Sequence, residues 1–472
     1  MKRCDMKIVM FSINPLYPDK VTGGASKNLY SIARYLGGLG HEVSILCAQT
    51  KNTLLQFSLS EGVTVRANLP FSLPFPQPYA VSGADLALIT ARISEALQDA
   101  DRFYIHDGEW LIPEVYDEIP TIASFRDNIY PESVLGTFIS KADDVICVSA
   151  YSKSVIEHSA GQFYPDLKDR IHWVNNGIDV NQFHPRSHGK LIKELGLDPD
   201  HEFILLHPHR PEPGKGLPET IRLVDRLIHR HGINDLRVLI PEWIDEMVSV
   251  GEEEFYDRMK QMMRDLDVLD HFQFIRWMGI DEMPELYSLA DVTLCLGNIV
   301  EAFGNVAYES LACGTPSIVA RVGVHRTLMP DDLIDKVHFG DIDDAANRIL
   351  KYVRGETPPW EDIRSFIHAE LNYEKQIENY GRVIGQCQKR DSLKFSRLEV
   401  SSEKAYRLAP WCYIQGDRIY HDFRGCFEPA QTLVSFVKGK DQFSSQDASC
   451  AGIPHVLWDE WITRTYLVPV MG

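Results

Sequence analysis

The feature that most constrains the fold is a strand, loop, helix and strand unit at residues 292–320. An apolar run ends at Cys295, Gly297 and Asn298 break it, and a helical pattern begins near Asn305. That pattern stops at Gly314, and a second apolar run follows at residues 317–320. Glu301 therefore falls on the loop and Glu309 about one turn inside the helix. Helical side chains lean toward the N-terminus, so Glu309 reaches toward whatever lies in front of the helix. The free N–H groups of Phe303, Gly304 and Asn305 point to the same place. A helix start of this kind holds anions, and Gly304 removes the Cβ that would obstruct a phosphate. Two carboxylates beside a phosphate seat suit hydroxyl guests, because an ionised carboxylate accepts two hydrogen bonds at once. Phosphate together with many hydroxyls describes a sugar nucleotide.

At 472 residues the chain is too long for one core. Its formal net charge of −19 argues against wrapping nucleic acid or lying on an anionic membrane, so any basic phosphate site must be local. No run of about 18 apolar residues is present, which predicts at most peripheral membrane contact. The basic residues Lys2 and Arg3 feed straight into an apolar strand pattern, and no signal peptide is expected. Cysteines occur singly, Cys47, Cys147, Cys295 and Cys313 among them in apolar patterns. Buried reduced thiols in a cytoplasmic protein are the expectation.

Residues 301–316, with Glu301, the Phe303 and Gly304 pair, Glu309 and the run Cys313, Gly314, Thr315, Pro316, resemble the double-glutamate signature of the family 4 glycosyltransferases. That family is retaining and has the GT-B fold. The resemblance implies an α/β chain of two Rossmann-like doubly wound domains facing a cleft: an acceptor domain at 1–185 and a nucleotide-sugar domain at 186–390 whose last helix crosses back. Residues 391–472 lie beyond it, as a small α+β module of winged-helix-like character.

In the first domain, residues 7–12 read as a buried parallel strand, Gly23 and Gly24 open a helix, and 41–47 form the next strand. The resemblance gives Gly23 and Gly24 the role of letting backbone approach the donor diphosphate. No Gly-x-Gly-x-x-Gly turn follows the first strand, so a dehydrogenase is not indicated. Residues 69–79 hold four prolines and are expected as a stiff loop at the cleft rim. Strands at 103–110 and 121–128 are expected to deliver His106, Asp107 and Glu109, then Arg126 and Asp127, to the crevice at their carboxyl ends, where they are candidates for the acceptor site. Many members of the family carry a histidine at the position of Arg126; here the Arg126 and Asp127 pair resembles another branch. The Asn176 and Gly177 turn marks the approach to the linker.

In the second domain, the loop 207–216 places Arg210 and Lys215 before a helix near Pro218, Arg210 as a fork and Lys215 as a point charge on a pyrophosphate. Asp265 and Asp267 lie in a helical stretch and read as a solvated face, so no metal is expected. An amphipathic helix at 372–388 fits the returning helix. The tail is dense in aromatics, with a hairpin at 413–420, helices at 429–437 and 455–463, and a last strand at 466–470. From Ser401 on, seven Lys and Arg face eight Asp and Glu, which disfavours DNA reading. It is expected to dock a protein partner or carrier-borne acceptor, or to act as a cap and dimer contact.

These readings converge on a metal-independent, retaining glycosyltransferase moving a hexosyl or N-acetylhexosaminyl group from a nucleotide sugar, UDP by family frequency, to a soluble or carrier-borne hydroxyl acceptor. No cofactor beyond that co-substrate is expected. Arg210, Lys215 and the amides of Phe303, Gly304 and Asn305 would stabilise the departing diphosphate. Glu301 would hold sugar hydroxyls, and Glu309 the ribose. The alternatives are a GT-B epimerase or phosphorylase, and a non-catalytic sugar-nucleotide-binding scaffold acting through the tail.

Overall fold

The computed structural model describes residues 6–19, 21, 23–51, 54–72, 77–242, 252–397 and 403–470. Short apolar runs separated by helices give two twisted sheets. The first contains β1 (Lys7–Ser12), β2 (Glu42–Ala48), β3 (Gln56–Ser60), β4 (Val63–Leu69), β5 (Arg102–Ile105), β6 (Thr121–Phe125), β7 (Asp144–Cys147) and β8 (Ile171–Trp173). Its order is β3-β4-β2-β1-β5-β6-β7-β8, parallel throughout except for β3, which pairs antiparallel with β4. The β3 and β4 hairpin was not expected from the sequence.

The second sheet contains β9 (Phe203–Leu206), β10 (Leu236–Pro241), β11 (Phe272–Ile275), β12 (Val292–Cys295), β13 (Ser317–Ala320) and β14 (Asp335–Val337). The order β11-β10-β9-β12-β13-β14 is the doubly wound arrangement, whose strand order reverses between β9 and β12. Val292, Leu294, Leu205 and Ile318 are buried, as strands covered by helices on both faces require. The crevice beyond the β9 and β12 ends is where such a sheet binds ligands.

The chain passes between the halves twice, and the two passages touch. Ile178 forms a parallel bridge with Asn372, and its N–H donates to Leu371 O at 2.8 Å. Gly177 sits against the Tyr373 backbone, where a Cβ would meet the Tyr373 N at 2.5 Å. The returning helix runs Tyr373–Gln386, capped by the Asn372 side chain on Lys375 N, and buries Ile377, Tyr380, Val383 and Ile384 in the first domain's core.

The tail comprises β15 (Tyr406–Leu408), β16 (Cys412–Gln415), β17 (Arg418–His421) and β18 (Cys426–Pro429), the helices Gln431–Val437, Ser445–Cys450 and His455–Thr463, and β19 (Leu467–Pro469). β16, β17 and β18 form an antiparallel meander, and β15 pairs with β19. A meander, three helices and a separate pair of strands thus replace the expected hairpin, two helices and a strand. Trp411, Phe436, Trp458 and Trp461 share one apolar core with Tyr151 and Val155 of the first domain and Val300 and Val324 of the second.

Two local expectations are corrected. The strand expected at 103–110 stops at Ile105, because Asp107 adopts φ 59°, which ends extended pairing. The helix Glu252–Asp265 ends before Asp267, which leaves it in the left-handed region at φ 54°. Of the proline segment, residues 73–76 lie outside the described residues. Its flanks Phe71 and Tyr79 pack ring edge to face at 5.4 Å, with Phe71 buried beside Phe11, so they cover the sheet end.

Candidate donor pocket

Two loops of the second domain meet backbone to backbone. Gly216 has φ 94°, and a Cβ there would lie 2.5 Å from Gly297 N; a Cβ on Gly297 would strike Gly214 O. Only glycine permits this approach, and it seats Lys215 beside Glu301. Lys215 Nζ donates to Glu301 Oε1 at 2.7 Å, with the two side chains 14% and 25% exposed. Burial pushes the Glu301 carboxyl up, but Lys215 outweighs it and holds the group down to about 2. Glu301 is therefore an anion across the physiological range.

Gly304 caps the helix Asn305–Ala312 at φ 76°, and a Cβ there would run into the His325 ring. Glycine is thus required twice, by conformation and by space. The same loop is held from behind, where Val324 N donates to Glu301 O at 3.1 Å. Burial holds His325 and His209 each down to about 4, so both imidazoles are neutral near pH 7. His325 Nδ1 shares a hydrogen bond with Tyr308 OH at 3.1 Å, and His209 Nε2 faces Leu294 O at 2.9 Å. Lys215, Glu301, Gly304, Asn305, His209 and His325 line a cavity of about 130 Å³.

Among the other expected donor residues, Phe303 turns its side chain into the core, 5.3 Å from the Tyr308 ring, and leaves only its backbone near the pocket. Arg210 Nε lies 3.2 Å from Glu212, half exposed, and Arg210 also bonds Tyr130 of the first domain. Glu309 accepts from Tyr287 OH at 3.2 Å; burial pushes its carboxyl up, with Lys27 opposing. Gly24 faces the pocket across the cleft, where a Cβ would come 3.0 Å from Asn305 Nδ2. Asn176 Nδ2 donates to Asn305 Oδ1 at 3.3 Å, joining the halves directly. Gly23 has extended backbone and open space around it, so no steric demand for glycine exists at that position.

Lys27 is a residue the sequence reading missed. It lies in the first turn of Gly24–Gly38, donates to Gln182 Oε1 at 2.8 Å, stands over the Phe183 ring and faces Glu309. A lysine at a helix N-terminus opposes the dipole, and that misfit was the signal available. His325 and His209 were missed as well. Nothing in their neighbours' spacing announces them.

The four expected acceptor residues are more enclosed. His106 is buried with both ring nitrogens engaged, Nε2 with Ala25 O at 3.1 Å and Nδ1 with Tyr104 OH at 3.0 Å. Asp127 is turned into its own turn, accepting from Ile129 N and Tyr130 N, each at 2.9 Å, and from Ser133 Oγ at 2.6 Å. Both side chains are thus engaged by neighbouring protein groups. Asp107 Oδ1 lies 3.5 Å from Arg126 Nε, and Arg126 Nη1 donates to Tyr380 OH at 3.4 Å on the returning helix. Burial, against Arg126, pushes Asp107 up to about 6. Glu109 is buried nearby with Oε2 unpartnered among the described residues. Among the described residues no cluster of three or more His, Cys, Asp or Glu is placed to hold a metal ion, and no helix is long and apolar enough to cross a membrane.

This fold and pocket have counterparts among known proteins. A model of glycosyl transferases group 1 matches residues 190–370, and a model of glycosyltransferase family 4 matches residues 22–182. The chain is 28% identical over 332 residues to the D-inositol 3-phosphate glycosyltransferase of Acidothermus cellulolyticus, covering 66% of this chain and 73% of that one. It is 26% identical over 310 residues to spore coat protein SA of Bacillus subtilis, covering 62% and 71%. Among solved structures, sucrose-phosphate synthase from Thermosynechococcus elongatus superposes with TM-score 0.64 at 18% identity, covering 81% of this chain and 98% of that one. HepE from Anabaena, in complex with UDP and glucose, gives TM-score 0.63 at 17% identity, covering 80% and 99%. The fold is GT-B, neither family model reaches the tail, and with its two halves matched by the two models the chain belongs to the family 4 glycosyltransferases.

Proposed function

We propose that the protein transfers a hexosyl or N-acetylhexosaminyl group from a nucleotide sugar to a hydroxyl acceptor with retention at the anomeric carbon. The observation that carries this reading is the Lys215 and Glu301 pair, 2.7 Å apart, in front of the Gly304 helix start and across from Gly24. A diphosphate entering there meets the amides of Gly304 and Asn305, the Lys215 ammonium and, from the loop mouth, Arg210. These groups would balance the leaving diphosphate without a metal ion, the kind of electrostatic stabilisation that is usually the largest single contribution to catalysis.

Once Lys215 turns to phosphate, Glu301 is released to accept sugar hydroxyls and to lean on positive charge at the anomeric carbon. Glu309, backed by Tyr287 and faced by Lys27, is set for ribose hydroxyls. Asp107 and Arg126 lie on the first-domain side, where the acceptor hydroxyl would enter. Glu301 serves as a stabiliser, and front-face return within an ion pair requires no covalent intermediate. UDP is the proposed nucleotide, supported by the UDP held in the Anabaena neighbour.

A thermal-shift screen of UDP, GDP, ADP and TDP sugars tests the donor. Incubation of the stabilising sugar with hydroxyl acceptors, with the product's anomeric configuration read by NMR, tests the reaction. An inverted product, or donor consumption that depends on added phosphate and not on acceptor, would overturn it.

A further inference from the structure

The tail places one carboxylate where three parts of the molecule meet. Asp422, the residue after β17, has a side chain with 0% exposure. Its Oδ1 accepts from Gly323 N at 3.3 Å and Arg326 Nη1 at 2.9 Å; its Oδ2 accepts from Arg326 Nη2 at 2.7 Å and Tyr151 OH at 2.6 Å. Gly323 and Arg326 belong to the second domain, and Tyr151 lies in the first turn of the helix Ala150–His158 of the first. The Arg326 guanidinium also stands 5.0 Å from the Tyr413 ring of the tail and donates to Pro410 O at 3.1 Å.

Burying a carboxylate is costly unless its lone pairs are taken, and a surface that merely covered apolar residues would need no charge here. What the carboxylate grips is the rear wall of the donor pocket. Gly323 has φ 55°, and a Cβ on it would come 2.6 Å from Glu301 O. The next residue, Val324, donates to Glu301 O at 3.1 Å, and the one after is His325, whose ring fills the space left by Gly304. A second contact holds the same loop from its other end: Asn298 Nδ2 donates to Gly425 O of the tail at 3.2 Å.

We infer that Asp422 is a positioning residue for the transfer reaction, fixing residues 323–326 behind Glu301 and His325 and tying that wall to Tyr151 across the cleft. The inference rests on the donor reading of the pocket proposed above. It gives the tail a place in the catalytic assembly, in addition to any role in dimer or partner contacts.

The test uses the full chain, with UDP released from UDP-glucose as the measure of turnover and hydrogen exchange as a second measure. In Asp422→Asn, kcat is expected to fall by about 10-fold to 100-fold with KM for UDP-glucose little changed, and in Tyr151→Phe to fall in the same direction. Because Asp422 acts through the Glu301 loop, the Asp422→Asn, Glu301→Gln double variant is expected to be no slower than Glu301→Gln alone. Phe436→Leu, in the tail core and away from Asp422, separates stability from positioning: it lowers the melting temperature and leaves kcat unchanged. Retention of kcat in Asp422→Asn, or losses that multiply in the double variant, would overturn the inference. If the wild-type chain neither binds nor turns over UDP-glucose, the UDP-glucose reading of the pocket falls. Hydrogen exchange then decides on the contact: faster exchange at residues 298–303 and 323–326 in Asp422→Asn supports it, and unchanged exchange there overturns it.

Discussion

Lys215 Nζ and Glu301 Oε1 stand 2.7 Å apart on two loops that glycines allow to touch. An exposed pair of this kind would contribute about 0–1 kcal/mol. This one is largely buried, so removing one partner strands the other and costs about 3–5 kcal/mol. The pairing therefore holds the pocket ready until a diphosphate competes for the ammonium.

Lys215→Ala is accordingly expected to lower kcat for donor turnover by about 100-fold to 1000-fold. Arg210→Ala should cost less, since Arg210 is 37% exposed at its side chain and already tied to Glu212. Initial rates of nucleoside diphosphate release check the order; equal losses, or a Lys215→Ala rate near wild type, would refute the assignment.

Gly304→Ala combines an unfavourable backbone at φ 76° with a clash against His325. Destabilisation of about 1–3 kcal/mol is expected from the backbone alone, together with loss of nucleotide binding. Thermal melting and calorimetric titration with UDP report the two effects separately.

Gly24→Val tests the approach of the halves. A Cβ at Gly24 already reaches 3.0 Å from Asn305 Nδ2, so the two further methyl groups must push the Gly-rich turn away from the helix start. KM for the donor should rise by about 10-fold while the melting temperature stays close to wild type. An unchanged KM would mean that this face does not meet the donor.

The pH dependence of stability should carry the imprint of His325. Burial, against the pull of Glu301, holds its imidazole down to about 4, whereas an unfolded histidine titrates near 6.5. Between those values the unfolded chain binds the extra proton, so stability rises with pH from about 4 to about 6.5 and is lost as pH falls through that window. The full effect is on the order of 3 kcal/mol. Glu301, held down to about 2, stays ionised in both states above about pH 5 and adds no slope there. Urea midpoints from pH 4 to 7 should fall more steeply toward acid in wild type than in His325→Gln; parallel curves would remove His325 as the cause.

The second domain and its pocket were the most legible parts of the sequence, because short all-apolar runs and a glycine-punctuated helix start have few other solutions. The placement of Glu301, Gly304, Glu309 and Lys215 follows from local spacing alone. The surroundings of His106 and Asp127 were harder to read: a polar residue at a strand end gives no sign of which protein groups, near or distant in the chain, its side chain will meet. Lys27, His325 and Asp422 act on the site from remote segments, brought in by tertiary packing that spacing does not encode. The β3 and β4 hairpin escaped notice because its alternating polar pattern is weaker than the buried parallel strands around it.

The adjoining passages at Ile178 and Asn372 have a mechanical consequence. Side by side, they form one paired link, and with the tail bound to Tyr151 on one half and Arg326 on the other, sliding of the halves past each other is resisted at two separate places. A protease nick at either passage would leave the other, with the docked helix Tyr373–Gln386, as a tether, so both fragments should still migrate together until denaturant is added.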